Sequence, residues 1–333
     1  MTQPHDAVTK PKTPVLNISA YRFFGIPEPQ STCAELRHRL ARIRTLRGTF
    51  LVTAEGINLF CAGEPHDVRA ALTVCQDVLP DFAGTVLKES WSPDNPFRKL
   101  IIKTRREAIS LGAPNINPAQ ATGPRLSPQT VKEWLDRPKR EFLLVDTRND
   151  YEVALGTFEG AINPHIKTFR DFPDWCRKNL AEHKNTPIVT FCTGGIRCEK
   201  ATALMQQEGF TQVYQIDGGI LGYLEATKDQ PSTNHWQGHC FVFDHRVAVD
   251  NHLAPTGHVM CFACWHVLTP EDEQDPRTQK GVSCPYCFED QKKKTDLREE
   301  QRRQRQRERL ERSRERGLAA QKAYRERLGH AEG

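Results

Sequence analysis

A chain of 333 residues can bury two or three separate cores, so a single domain is not expected. The apolar fraction is 38% against 27% charged, and no apolar run approaches the roughly 20 residues that cross a bilayer, so membrane insertion is not expected. The first residues, M-T-Q-P-H-D-A-V-T-K-P-K-T-P, lack the apolar stretch of a signal peptide, so a cytoplasmic location is expected.

From Val15 to about Arg106 (domain bounds 15–110) the apolar pattern predicts strand, helix, strand, strand, helix, strand, the ferredoxin-like order. Cys33, Leu36, Leu40 and Ile43 share one helical face, as do Val68, Ala71, Leu72, Cys75 and Val78. Between them T-F-L-V-T-A-E-G-I-N-L-F-C reads as two strands turning at Glu55-Gly56, and the closing strand is placed at Lys99 to Lys103. Arg37, Arg44, Arg98 and Lys103 stand out in a basic set that could hold RNA; Arg37 and Arg44, seven apart, are expected on one helix face. An Arg-rich solvated surface without a nucleic-acid ligand explains the same residues.

Residues 111–126 carry Pro114, Pro118, Gly123 and Pro124 and are expected to be a linker. From 127 to 228, short apolar runs at Glu141 to Asp146, Pro187 to Phe191 and Val213 to Ile216 alternate with helical stretches, the pattern of a parallel α/β sheet. The helices include Ser127 to Leu135 and Cys198 to Glu208, the latter closed by Gly209.

Functional groups in such sheets gather where strands end and helices begin, and Cys192 lies at such a junction in F-C-T-G-G-I-R-C. The loop Thr193, Gly194, Gly195, Ile196, Arg197 can turn its amides inward, a helix starts behind it, and Arg197 adds positive charge. All three favour a thiolate or an anion bound above it. A structural role for Cys192 is disfavoured, because two glycines and an arginine make a poor core. Cys198 reads either as a resolving thiol or as a small residue at a helix start.

Residues 229–288 read as one Cys-rich region organised by metal. Cys261 and Cys264 form one C-x2-C pair and Cys284 and Cys287 a second, 19 residues apart, a spacing that fits a closed structural zinc site better than the alternative, redox-active C-x2-C chemistry. His258 and His266 are either replacement ligands or polar neighbours. Eleven cysteines without a secretion signal fit thiol and metal chemistry better than a disulfide framework. The segment Glu289 to Gly333 holds 15 of the 47 basic and 10 of the 42 acidic residues, leaving 32 of each elsewhere, so the net charge of +5 resides there. A solvated helix or disordered tail (289–333), with or without RNA attraction, is expected.

Cys192 and Arg197 are separated by four residues, where cysteine phosphatases place five. This tighter loop resembles the rhodanese family, as do L-L-V-D-T-R-N-D-Y-E-V at 143–153, G-A-I-N at 160–163 and D-G-G at 217–219. Asp146 and Arg148 match that family's D-x-R element, either bracing the loop or forming a surface ion pair. Together with A-E-G-I-N at 54–58, C-F-A-C-W-H and G-V-S-C-P-Y-C, the chain resembles the rhodanese-domain tRNA uridine 5-hydroxylase family over about residues 15–288. The resemblance implies an α/β and α+β multidomain protein with an acylphosphatase-like first domain. It also implies oxygen-dependent conversion of the wobble uridine of tRNA to 5-hydroxyuridine, Cys192 as the essential residue, dioxygen as co-substrate, and an electron donor that the sequence does not identify. Nothing in the sequence resembles a flavin, haem or nucleotide site. A sulfurtransferase carrying a persulfide on Cys192 remains a second reading, and a non-catalytic RNA-binding module a third.

Overall fold

A computed structural model describes residues 14–311 except 114, 231, 232, 245, 302, 303, 306, 309 and 310. The chain divides into two compact units, Met1–His258 and Val259–Gly333. The tail expectation beyond 311 lies outside the described residues.

The first unit begins with β1 (Val15–Phe23), α1 (Pro29–Leu40), β2 (Arg47–Thr53), β3 (Gly56–Gly63), α2 (Pro65–Val78), β4 (Lys88–Ser92) and β5 (Leu100–Thr104), in the sheet order β4-β1-β3-β2-β5. The first four strands are antiparallel in ferredoxin-like order, and β5 adds to β2 in parallel with Gly48 opposite Leu100. The closing strand expected at 99–103 is therefore an extra edge strand, and the true fourth strand is β4. Its sequence, K-E-S-W-S, has polar residues at its half-buried positions Lys88, Ser90 and Ser92, so no apolar alternation announces it. Cys33, Leu36 and Leu40 of α1 and Val68, Ala71 and Cys75 of α2 close the core over Leu16, Ile18, Phe50, Ile57 and Leu59. Gly56 takes φ +143°, and a Cβ there would lie 2.1 Å from the Arg22 carbonyl, so the β2–β3 turn requires glycine.

A second correction concerns Arg44. Helix α1 ends at Leu40, so Arg37 and Arg44 share no helix face. The chain leaves the helix axis because Asp67 of α2 accepts hydrogen bonds from the amide and hydroxyl of Thr45 at 2.9 and 2.5 Å.

The central fold contains β6 (Arg125–Leu126), α3 (Pro128–Leu135), β7 (Leu143–Asp146), α4 (Asp150–Val153), β8 (Gly156–Phe158), α5 (Phe172–Asn179), β9 (Ile188–Phe191), α6 (Ile196–Gln207), β10 (Val213–Ile216) and α7 (Gly219–Ala226). Strands β6-β10-β9-β7 form a parallel sheet. Alternate strand residues point to opposite faces. Val145, Ile188 and Val213 pack under α5 and α6, while Leu144, Val189 and Ile216 pack under α3 and α7. Segment 111–126 is not a free linker, since Leu111 and Ile116 are buried in the α5/α6 core.

The expected single Cys-rich region 229–288 is divided. Strand β11 (Trp236–Gly238) pairs with β8, and Trp236, Cys240, Val242 and Val249 join the α3/α7 core. A short hairpin follows, β12 (Cys240–Phe241) with β13 (Ala248–Val249). The cysteine pairs lie in the second unit. It holds β14 (Val259–Met260), β15 (Val267–Leu268), α8 (Pro270–Gln274) and a helix over 288–301. No described helix is long and apolar enough to cross a membrane.

Candidate active site

The sheet register explains why three separated motifs meet. Asp146 pairs with Phe191, and Gln215 with Thr190, so Thr147, Cys192 and Asp217 each lie one residue past the carboxyl end of adjacent strands. At that edge of a parallel α/β sheet ligands gather.

The loop after β9 is turned so that its carbonyls face away from the cysteine. The amides of Ile220 and Leu221, at the start of α7, donate to the carbonyls of Cys192 and Thr193 at 2.9 and 3.1 Å. The Lys88 ammonium donates to the carbonyls of Gly194 and Gly218. With the carbonyls held outside, amides face in, and the Gly195 amide donates to Cys192 Sγ at 3.1 Å. Gly219 is required for this closeness: a Cβ there would sit 2.4 Å from the Cys192 carbonyl oxygen.

Burial opposes charge on the Cys192 thiol, but a hydrogen bond from Cys198, the Arg197 guanidinium and the amides of Arg197 and Gly195 outweigh it and lower its pKa to about 6. Cys198 moves the opposite way, raised by burial and by sharing its proton with Cys192. The Lys88 ammonium is pushed down to about 8 by burial, against the attraction of Cys192 and Asp217. At neutral pH these groups favour a thiolate beside an ammonium.

Arg197 lies beside the thiolate, yet its guanidinium is engaged by Glu152 at 2.8 and 3.1 Å, with both side chains buried. Glu152 reaches this position because α4 follows directly on the D-T-R segment. Arg148 donates to both oxygens of Asp146, at 2.6 Å to the closer, and to the Gly156 carbonyl at 2.6 Å. Both side chains of that pair are fully buried, so a surface ion pair is ruled out.

The first domain supplies the opposite wall. Tyr21, Asn58 and Lys88, with Cys192 to Gly194, Arg197, Asp217, Arg125 and Phe243, line a cavity of about 450 Å³. Buried Lys200 fixes the two domains, binding Glu55 at 2.8 Å and Glu107 at 2.7 Å. One residue of the A-E-G-I-N segment thus joins the domains while another, Asn58, faces the cavity. Glu199 adds a second link, accepting from Arg125 and, at 2.9 and 3.4 Å, from Thr122 and Tyr21.

Of the basic residues, Arg37 binds the Ile102 carbonyl at 2.7 Å, Arg44 and Arg98 are exposed, and Lys103 is half-buried on β5. The register Gly48 opposite Leu100 places Arg98 near Arg47, whose guanidinium binds the Arg44 carbonyl at 2.8 Å. None of the four is among the residues lining the cavity. Lys88, Tyr21 and Phe243 went unnoticed in the sequence, because each is an isolated residue on a polar strand or outside any motif.

In the second unit, the thiols of Cys261, Cys264, Cys284 and Cys287 lie within 4.8 Å of one another. Three sulfur pairs are 3.6, 3.7 and 3.9 Å apart. Four thiolates on one tetrahedral ion, with bonds near 2.3 Å, have edges of about 3.8 Å. The residues therefore fit a shared metal ion. His266 stacks on Tyr286 with ring centroids 3.7 Å apart, and His258 binds the Thr256 hydroxyl at 2.7 Å; neither joins the four-thiol group.

Residues 15–108 match the UPF0176 acylphosphatase like domain, and residues 127–226 the Rhodanese-like domain. The chain is 41% identical to the tRNA uridine(34) hydroxylase of Agrobacterium fabrum, covering 81% of this chain and 84% of that protein. It is likewise 41% identical to the protein of the same name from Acaryochloris marina, over 82% of this chain and 86% of that one. A solution structure of a rhodanese-like domain from Anabaena sp. is 20% identical, covering 35% of this chain and 80% of that domain, with a TM-score of 0.29.

Proposed function

Because this chain belongs to the tRNA uridine(34) hydroxylase family, we propose that it hydroxylates the wobble uridine of tRNA at C5, with Cys192 as the catalytic thiolate. The observation that carries this reading is the cavity: about 450 Å³, within the usual span for organic ligands of about 300–1,000 Å³, with Cys192 on its lining and the first domain as one wall. A small sulfur donor would need far less room.

In this reading the thiolate adds to C6 of uracil, forming an S–C6 bond and moving the C5–C6 electron pair toward C5 and the C4 oxygen. Lys88, which has one N–H beyond the two given to loop carbonyls, and the inward amides stabilise the negative charge. The electron-rich C5 takes one oxygen atom from dioxygen. The second atom leaves as water, consuming two electrons and two protons from an external two-electron donor. Loss of the C5 proton and expulsion of the thiolate restore the ring. Arg197, held by the buried Glu152 carboxylate, sets the field around the thiolate and stays out of bond making.

The four-cysteine group is proposed to hold zinc in a structural role, since all four tetrahedral positions are thiols and none is left open for substrate. Arg44, Arg98 and Lys103 are proposed to meet tRNA phosphates along the β5 edge, and cytoplasmic tRNA is the expected partner.

Nucleoside mass spectrometry of tRNA from cells lacking the gene tests the proposal. Loss of 5-hydroxyuridine, restored by the wild-type gene and not by Cys192→Ser, is expected. Loss of a thiolated nucleoside with 5-hydroxyuridine intact would instead establish sulfur transfer.

A further inference from the structure

The segment after β12 adds an aromatic ring, Phe243, to a cavity whose first-domain wall carries Tyr21, Phe23 and Phe60. Phe243 lies beyond the rhodanese match, which ends at residue 226, yet it lines the cavity with Cys192. Its ring is 47% exposed, while Phe241 beneath it is buried. The Phe243 ring therefore presents open apolar surface on the cavity lining.

The ring is held in place. Its edge-to-face contact with Phe241 has centroids 5.0 Å apart, and Phe241 contacts Tyr151 in the same way at 5.3 Å. The Thr193 hydroxyl, inside the cysteine loop, donates to the Phe241 carbonyl at 3.2 Å and fixes this arm to the reactive loop. Arg246 folds back on Asp244, donating at 2.9 Å from Nε, and closes the turn. The Arg197 guanidinium lies 5.5 Å from the Phe243 ring centroid, within cation–π reach. The ring, the cysteine loop and Arg197 therefore form one connected assembly.

We propose that Phe243 is the stacking platform for the substrate base, receiving the unpaired uracil of the anticodon so that the ring edge carrying C5 and C6 faces Cys192. The inference rests on the hydroxylase reading and deepens it by naming how the base is held. A pyrimidine is planar and exposes a π-face once unpaired, so an open aromatic ring is the side chain that retains it without hydrogen bonding. A sulfane anion has no face to stack. Arg22 and Arg125 on the cavity lining suit the phosphates on either side of such a base.

The test uses the full-length protein and two anticodon stem-loop RNAs, one with uridine at position 34 and one abasic there. With Cys192→Ser protein, which cannot turn over, the uridine RNA is expected to bind roughly tenfold or more tightly than the abasic one. Adding Phe243→Ala should erase that difference, and Phe243→Trp should keep it. Undiminished discrimination in the Phe243→Ala protein would overturn the platform. In turnover, Phe243→Ala is expected to lower kcat/KM by a similar factor while the rate of Cys192 alkylation stays at the wild-type value. An alkylation rate that falls in parallel would assign Phe243 to the loop's architecture and reject base stacking. Failure of the wild-type protein to form any 5-hydroxyuridine would refute the hydroxylase reading itself, whereas the binding comparison judges the platform separately.

Discussion

Two cysteine sites in this protein begin from the same side chain and arrive at opposite chemistry. Around Cys192 a single sulfur is met by backbone amides, a thiol donor and a guanidinium, all of which lower its pKa. Around Cys261, Cys264, Cys284 and Cys287, four sulfurs converge on one point. A lone thiolate keeps a lone pair for a substrate. Four gathered thiolates repel one another unless a cation neutralises them, and their lone pairs are then spent on it. What separates a reactive from a structural cysteine here is the number of sulfurs and the source of compensating charge.

That contrast is broken most severely by exchanging the roles. Cys192→Ser should reduce nucleoside hydroxylation to background, with circular dichroism and bound metal unchanged. Cys284→Ser should do the reverse in kind: bound metal falls below one equivalent by elemental analysis, and the second unit becomes protease-sensitive. Structural zinc sites of this type contribute about 10–16 kcal/mol to folding at pH 7. Cys192 alkylation should survive that change.

The next effect concerns what orients the cradle. Asp146→Ala leaves Arg148 buried without a counter-charge, so chemical denaturation should show about 3–5 kcal/mol lost. A loss under 1 kcal/mol would mean that water reaches the pair.

A smaller effect follows from pH. Activity should rise through about 6 as Cys192 ionises and fall above about 8 as Lys88 loses its charge and with it the N–H not already given to the Gly194 and Gly218 carbonyls. The folding contribution has the sign of a depressed acid. It is fully present above the ordinary thiol value of 9.0 and is lost as pH falls through about 6. Lys88→Met should remove the upper limb of the rate profile; persistence of that limb would assign it to another group. The smallest change is expected at the exposed β5 edge, where Arg98→Ala should lower the salt slope of tRNA binding by about one and leave stability within roughly 0.5 kcal/mol.

The same contrast shows what a sequence discloses. Both cysteine sites are local: C-T-G-G-I-R and the two C-x2-C pairs each lie within short stretches whose spacing carries their geometry. The parallel sheet was legible for a similar reason, since L-L-V-D and P-I-V-T-F are continuous apolar runs. Strand β4 was not, because its half-buried positions are polar, and Lys88, the one of them that lines the cavity, disappeared with it. Nor could D-x-R be told from a surface pair, as burial of Asp146 depends on β7 lying beside β9. The links from Lys200 to Glu55 and Glu107 span the domain boundary and have no signature in spacing. Local chemistry was readable, whereas contacts across the interface needed the fold.

The most direct test of the central claim is the ionisation of Cys192 itself. Site-resolved mass spectrometry of iodoacetamide labelling, followed from pH 4 to pH 10 in the full-length protein, should give a midpoint near 6 for Cys192. A midpoint at the ordinary thiol value of 9.0 would show that the inward amides and Arg197 do not hold a thiolate, and would remove the basis for the proposed chemistry.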